Sequence, residues 1–165
     1  YNICNRCRKE YENLMLVDFV GNEESIKELE KNLENKDLSH AYLFLGNEGV
    51  GKFTVAKALA KRILCDENEA YYCEIADDFY HPDLKILRAD KSIKKAEIDE
   101  LVADSFKKPF ASKYKVFIID GFEDVTVSGQ NALLKTLEEP EDYLKIIQSI
   151  ASETKSMFAK DAWTM

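Results

Sequence analysis

Nowhere in the sequence do apolar residues run for the roughly 20 positions that a helix needs to cross a bilayer, so it offers no candidate for a helical membrane span. The first residues, YNICNRCRKE, lack the basic-then-apolar layout of a secretory signal. Together these set the expectation of a cytoplasmic protein with no membrane partner. Basic charge is not in excess either: 31 acidic against 23 basic residues leave a net charge of −8. Such a field opposes a phosphate backbone, so simple electrostatic capture of nucleic acid is disfavoured, and any nucleic-acid role would be shared with partners. Internal repeats and low-complexity segments are absent. Cysteine is sparse, and four residues without a secretory signal read as thiols or a metal site before disulfides.

What remains is an ordinary globular composition, 45% hydrophobic and 33% charged. A chain of 165 residues is long enough for one domain with a real core, since a domain of this size buries roughly 70% of its unfolded surface. A second full domain would not fit comfortably.

Residues 1–15 stand apart, with Cys4 and Cys7 in a CxxC followed by a charged tail, and read as a small appendage. From Asn22, a suitable N-cap, Ile26, Leu29 and Leu33 recur at helical spacing among Glu and Lys, predicting an amphipathic helix that ends near 35–37. AYLFL at 41–45 is too short for a helix and suits a strand buried on both faces. Val55, Ala56, Leu59, Ile63 and Leu64 then mark a helix that starts at a glycine turn, giving the first half of a parallel βαβ unit. The acidic stretch 66–83 reads as a surface excursion.

LKILR at 84–88 is a second strand candidate, and Ile98, Leu101, Val102 and Phe106 mark a helix stopped by Pro109. KVFIID at 115–120 is a third buried strand ending in a carboxylate, followed by a helix with Leu133, Leu134 and Leu137 that Pro140 terminates. Over 143–165, Leu144, Ile147, Ile150 and Ala151, then Phe158 and Ala162, predict an amphipathic helix that closes the core or docks on another subunit. His40 and His81 read as packed or capping residues, because no nucleophile stands beside either. Lys107, Lys108, Lys113 and Lys115 read as a solvated loop.

Chemistry is concentrated at Gly46, Asn47, Glu48, Gly49, Val50, Gly51 and Lys52, a GxxxxGK run between a strand and a helix. Such a loop wraps backbone N–H groups round phosphates, with the lysine and the helix N-terminus adding positive potential. The residue after the lysine normally gives a hydroxyl to Mg²⁺. Here it is Phe53, which has no oxygen to give, and Thr54 lies about 100° further round the helix. Asp120 supplies the strand-end carboxylate of a nucleotide site, but Gly121 stands where many such ATPases carry a water-polarising Glu. Losing one positioned catalytic group costs about 10² to 10⁴ in rate, so two losses leave negligible turnover. Weak nucleotide binding survives more readily than hydrolysis.

HAYLFLGNEGVGK at 40–52, HPDLKIL at 81–87, SIKKAEIDEL at 92–101, KVFIIDGFEDVT at 115–126 and NALLKTLEEP at 131–140 resemble, in that order, the bacterial clamp-loader ATPase family of the DNA polymerase III holoenzyme. The resemblance covers about 16–142. It implies an α/β fold, the parallel sheet flanked by helices of a P-loop NTPase of the AAA+ type, within a ring that loads the sliding clamp onto primed DNA. Motor subunits and the clamp-opening delta subunit would be direct partners, the clamp and the DNA indirect ones. Motor subunits of this family keep Ser or Thr after the lysine and Glu after the aspartate. Phe53 and Gly121 resemble instead the family's non-hydrolysing stator, implying no catalytic residue and a degenerate nucleotide site formed by Gly46 to Thr54 and Asp120.

Two features depart from the family pattern. After LEEP the family continues with a strand ending in a polar sensor residue and a Ser-Arg-Cys motif, then a helical lid and a collar. This chain continues as EDYLKIIQSI without that motif. The expectation is therefore an incomplete fold, either a fragment or a chain from which segments between ordered pieces are absent. The family also carries four cysteines that suit a tetrahedral zinc site between the loop helix and HPD. Here Cys65 and Cys73 hold the outer part of that stretch and the CxxC is Cys4 and Cys7, so a small zinc module needs all four to meet. Two other readings stay open: an active motor or related P-loop ATPase using Lys52, Asp120 and a recruited Thr54, and a zinc-stabilised binding module with a vestigial loop.

Overall fold

The computed structural model describes residues 23–65, 81–88 and 91–151. Helix α1 spans Glu23–Glu34, with Glu23 and Glu24 in its first turn and Lys31 in its last, charges that favour the two ends of the helix dipole. Its C-terminus closes through Lys36, at φ 57, whose N–H donates to Leu33 O while Asp37 N–H donates to Asn32 O. The expected cap Asn22 lies outside the described residues. The chain continues through β1 (Ala41–Gly46), α2 (Lys52–Leu64), β2 (Leu84–Arg88), α3 (Lys95–Ser105), β3 (Lys115–Asp120), a 3₁₀ turn (Phe122–Asp124), α4 (Val127–Glu138) and β4 (Leu144–Ala151).

The four strands form one parallel sheet in the order β1-β4-β3-β2. Helices α1 and α2 cover one face with Ile26, Leu29, Leu59 and Ile63 against Val116, Ile118 and Ile147. Helices α3 and α4 cover the other with Ile98, Leu101 and Leu133 against Phe117, Ile119 and Ile146. A sheet buried on both faces needs continuous apolar strands, and β3 reads VFII for that reason.

The expected amphipathic helix from 143 is overturned in its first part: residues 144–151 are β4, a central strand hydrogen-bonded to β1 on one side and β3 on the other. Seven of its eight residues are buried, so the apolar positions belong to both faces rather than to one helical stripe. Lys145 escapes from this core by sending its ammonium to Leu38 O at 3.2 Å and over the Tyr114 ring. Burial pushes its pKa down, partly offset by the charge of Asp142. Residues 152–165 and the appendage at 1–15 lie outside the described residues.

Two smaller expectations also change. Phe106 ends α3 at 67% exposure instead of joining the core, because the helix has already stopped at Ser105, four residues before Pro109. Lys115 does not belong to a solvated loop: it opens β3 buried, its Nζ donating to Asp104 O at 3.0 Å and Asp104 Oδ2 at 3.2 Å. Lys107 reaches Asp104 Oδ1 at 3.2 Å and Lys85 lies 3.7 Å from Oδ2.

Burial pushes the Asp104 carboxyl up, but hydrogen bonds from Lys115 and Lys107 and the charges of Lys115 and Lys85 outweigh it and hold the pKa below the ordinary value. A depressed carboxylate stabilises the fold above its unfolded pKa, and that contribution is lost as pH falls through the folded one. Asp104→Asn should therefore cost about 1–2 kcal/mol at neutral pH. The deficit relative to wild type should shrink below about pH 4, which urea titrations across that range would record.

Candidate functional site

The carboxyl ends of the four strands lie along one edge of the sheet, where ligands bind in open α/β folds. Beyond Gly46, the end of β1, the chain turns through Asn47, Glu48, Gly49, Val50 and Gly51 into α2. Gly49 and Gly51 hold φ values of 80 and 88, a left-handed backbone costing roughly 1–2 kcal/mol for a residue with a side chain. Lys52 folds back over this turn and donates to Gly46 O and Asn47 O, each at 2.8 Å. Left-handed glycines and a lysine folded over the turn are features that a phosphate-binding loop uses. Val50 is 61% exposed at its tip, and Thr54 is exposed on the first turn of α2.

Phe53 does not face open solvent. Its ring packs on the core beneath α2, and two cations lie against it, Arg88 Cζ at 4.8 Å from the centroid and Lys57 Nζ at 5.0 Å. Such contacts contribute about 0.5–1 kcal/mol where water reaches them.

Parallel register places Arg88 opposite Asp120, and Asp120 opposite Ser149. All three follow the phase of Ile86, Ile118 and Ile147, so they share the face covered by α2. Arg88 Nε forms an ion pair with Asp120 Oδ2 at 3.1 Å. Ser149 Oγ donates to Asp120 Oδ1 at 2.5 Å and accepts Gly121 N–H at 3.2 Å. Both oxygens of the carboxylate therefore already have partners, a hydroxyl on Oδ1 and a guanidinium beside Oδ2.

Gly121 has φ 77, and a Cβ there would sit 3.3 Å from Asp124 Oδ2. Glu123 is turned to the end of β4, where it accepts Ala151 N–H at 2.9 Å. A carboxylate aimed at water beside Asp120 is thus absent from the described residues.

Arg88 joins Phe53, the residue after the loop lysine, to Asp120. Arg88 and Ser149 were missed. Arg88 ends its strand as Asp120 ends its own, and opposite charges at matching strand ends would have been the signal; Ser149 was hidden by reading its strand as a helix. His81 is a capping residue as expected, its Nδ1 accepting Asp83 N–H at 3.1 Å, while His40 is exposed.

Among the four cysteines only Cys65 is described; its N–H donates to Lys61 O at the end of α2. Cys4, Cys7 and Cys73 lie outside the described residues, and the described residues alone contain no group of three or more His, Cys, Asp or Glu able to hold a metal. No described helix is long and apolar enough to cross a membrane.

A glycine turn from the first strand of a parallel sheet into a helix, with a strand-end carboxylate on the same face, is the architecture of the P-loop fold of the AAA+ type. The chain matches the family model described as DNA polymerase III, delta subunit, over residues 21–158, beyond the boundary expected at 142. It is 40% identical over 122 residues to DNA polymerase III subunit delta' of Bacillus subtilis, covering 70% of this chain and 37% of that protein. Over 146 residues it is 34% identical to DNA polymerase III subunit tau/gamma of Haemophilus influenzae, covering 84% of this chain and 21% of that one. The fold matches the crystal structure of a DNA polymerase III gamma subunit-related protein from Thermotoga maritima with a TM-score of 0.57 at 20% identity, over 74% of this chain and 39% of that structure. This chain belongs to the clamp-loader family of DNA polymerase III subunits. It spans less than two-fifths of the length of these relatives.

Proposed function

We propose that the chain is the nucleotide-binding-like part of a delta prime subunit, the non-hydrolysing stator of a clamp loader, which scaffolds the motor subunits and the delta subunit while the clamp is placed on primed DNA. The observation that carries this reading is Phe53. A phenyl ring stands where hydrolysis needs a hydroxyl on magnesium, and it is packed on the core and covered by Arg88 rather than left as a loose substitution. The 40% identity to the Bacillus subtilis delta' subunit supports it.

A motor reading draws on the tau/gamma relatives and on the intact Gly46–Lys52 turn. It needs Thr54 to reach a metal from a position about 100° away on the helix.

Steady-state ATP turnover, by the purified chain alone and with motor subunits added, separates the two. The expected result is that wild type adds nothing above background and that Lys52→Ala changes nothing. Turnover by this chain that Lys52→Ala abolishes would establish the motor reading instead. Phe53→Thr combined with Gly121→Glu should also stay silent. The glutamate would enter a left-handed backbone beside Asp124, a strain of roughly 1–2 kcal/mol.

A further inference from the structure

A strand-end aspartate beside a phosphate loop poses an electrostatic problem. Its negative charge repels the phosphates unless a cation stands between them, and in a working site that cation is magnesium. The donor set here does not fit magnesium. Phe53 has no oxygen, Asp120 Oδ2 is taken by Arg88 and Oδ1 by Ser149, and a divalent ion would have to settle next to a guanidinium. Magnesium demands near-octahedral oxygen ligands and gives up its waters reluctantly, so it has little to gain from such a site.

We propose that Arg88 is the resident counter-charge of this site, so that the loop takes the polyphosphate of a nucleotide without a divalent cation. This rests on reading the site as non-hydrolysing and adds what it binds and how. The Arg88 guanidinium is held from two directions, by Asp120 Oδ2 at 3.1 Å and by the Phe53 face at 4.8 Å. Its side chain is nevertheless 64% exposed, and a guanidinium whose Nε is paired with Asp120 keeps its terminal N–H groups for an anion. Lys52 uses two donors on Gly46 O and Asn47 O, and the third N–H of an ammonium remains. Phe53 then has a defined part: it fills the space of the hydrated metal and sets the plane on which Arg88 lies.

The test is titration calorimetry of ADP into the purified chain, in excess magnesium and in EDTA. Magnesium should not tighten binding and should weaken it where it complexes the free ADP, since a cation that does not enter the site can act only on the nucleotide in solution. Arg88→Gln should weaken ADP binding in EDTA by about tenfold or more, the scale of one charge-assisted contact. Circular dichroism confirms that each variant is folded, and the exposed Arg88 is a site where replacement spares the core.

In Phe53→Thr/Arg88→Gln, magnesium should begin to tighten ADP. Wild-type binding that magnesium tightens would overturn the proposal, as would no ADP binding under either condition or Arg88→Gln binding ADP as tightly as wild type. Magnesium-dependent binding without turnover defeats this inference alone, whereas turnover lost in Lys52→Ala defeats the stator reading.

Discussion

Asp83→Ala is expected to lower the unfolding free energy by about 3–4 kcal/mol, as the loss of a multiply bonded buried carboxylate does. Asp83 is 1% exposed and immediately precedes β2. Its Oδ1 accepts Phe110 N–H at 2.6 Å, and its Oδ2 accepts Ala111 N–H at 2.7 Å and Ser112 N–H at 2.8 Å. Its own carbonyl accepts Val116 N–H at 2.8 Å.

One side chain thus holds the loop that leads into β3, and β3 carries Asp120. Alanine would strand three backbone donors, only part of which water can reach. Phe110 is 81% exposed, whereas Ala111 and Ser112 are half-buried. Asp83→Asn keeps a carbonyl acceptor on one side and should cost less, about 1–2 kcal/mol. For a domain of this size each kcal/mol moves the melting temperature by roughly 2–4 °C, so alanine should lower it by roughly 6–16 °C. Urea unfolding of both variants checks the order; equal stabilities for Asp83→Ala and wild type would mean that the loop does not depend on the carboxylate.

Where local pattern and tertiary environment agree, the fold was readable. AYLFL and VFII are short apolar runs next to turns, the pattern of strands in a sheet covered on both faces. The glycines of 46–51 announced the phosphate loop because backbone needs left-handed turns there. Failure came where polar residues are buried with partners supplied by distant chain. Lys145, Gln148 and Ser149 among isoleucines imitate the polar face of a helix, yet Lys145 ends on Leu38 O and Ser149 on Asp120.

Lys115 looked solvated for the same reason, since nothing local announces that Asp104 waits for it. Arg88 shows the limit most clearly. Its role depends on parallel register, which sets Arg88, Asp120 and Ser149 in one row across three strands, and register is a property of pairing rather than of any one segment.

Ile146→Ala should destabilise the protein by about 2–4 kcal/mol, and so should Ile147→Ala, the usual cost of deleting a buried isoleucine side chain. The two residues are adjacent in β4 and point to opposite layers. Ile146 is 1% exposed among the residues packed by α3 and α4, and Ile147 is 0% exposed among those packed by α1 and α2. A surface helix with the stripe Leu144, Ile147 and Ile150 would place Ile146 off the stripe, and its truncation would then stay within about 0.5 kcal/mol. Equal losses for neighbouring residues are the signature of a strand buried on both faces, and urea midpoints measured for the two variants read it directly. The Ile146 result also bears on the site. β4 delivers Ser149 to Asp120, so if β4 were a helix the donor on Oδ1 would be gone and one carboxylate oxygen would be open to a metal.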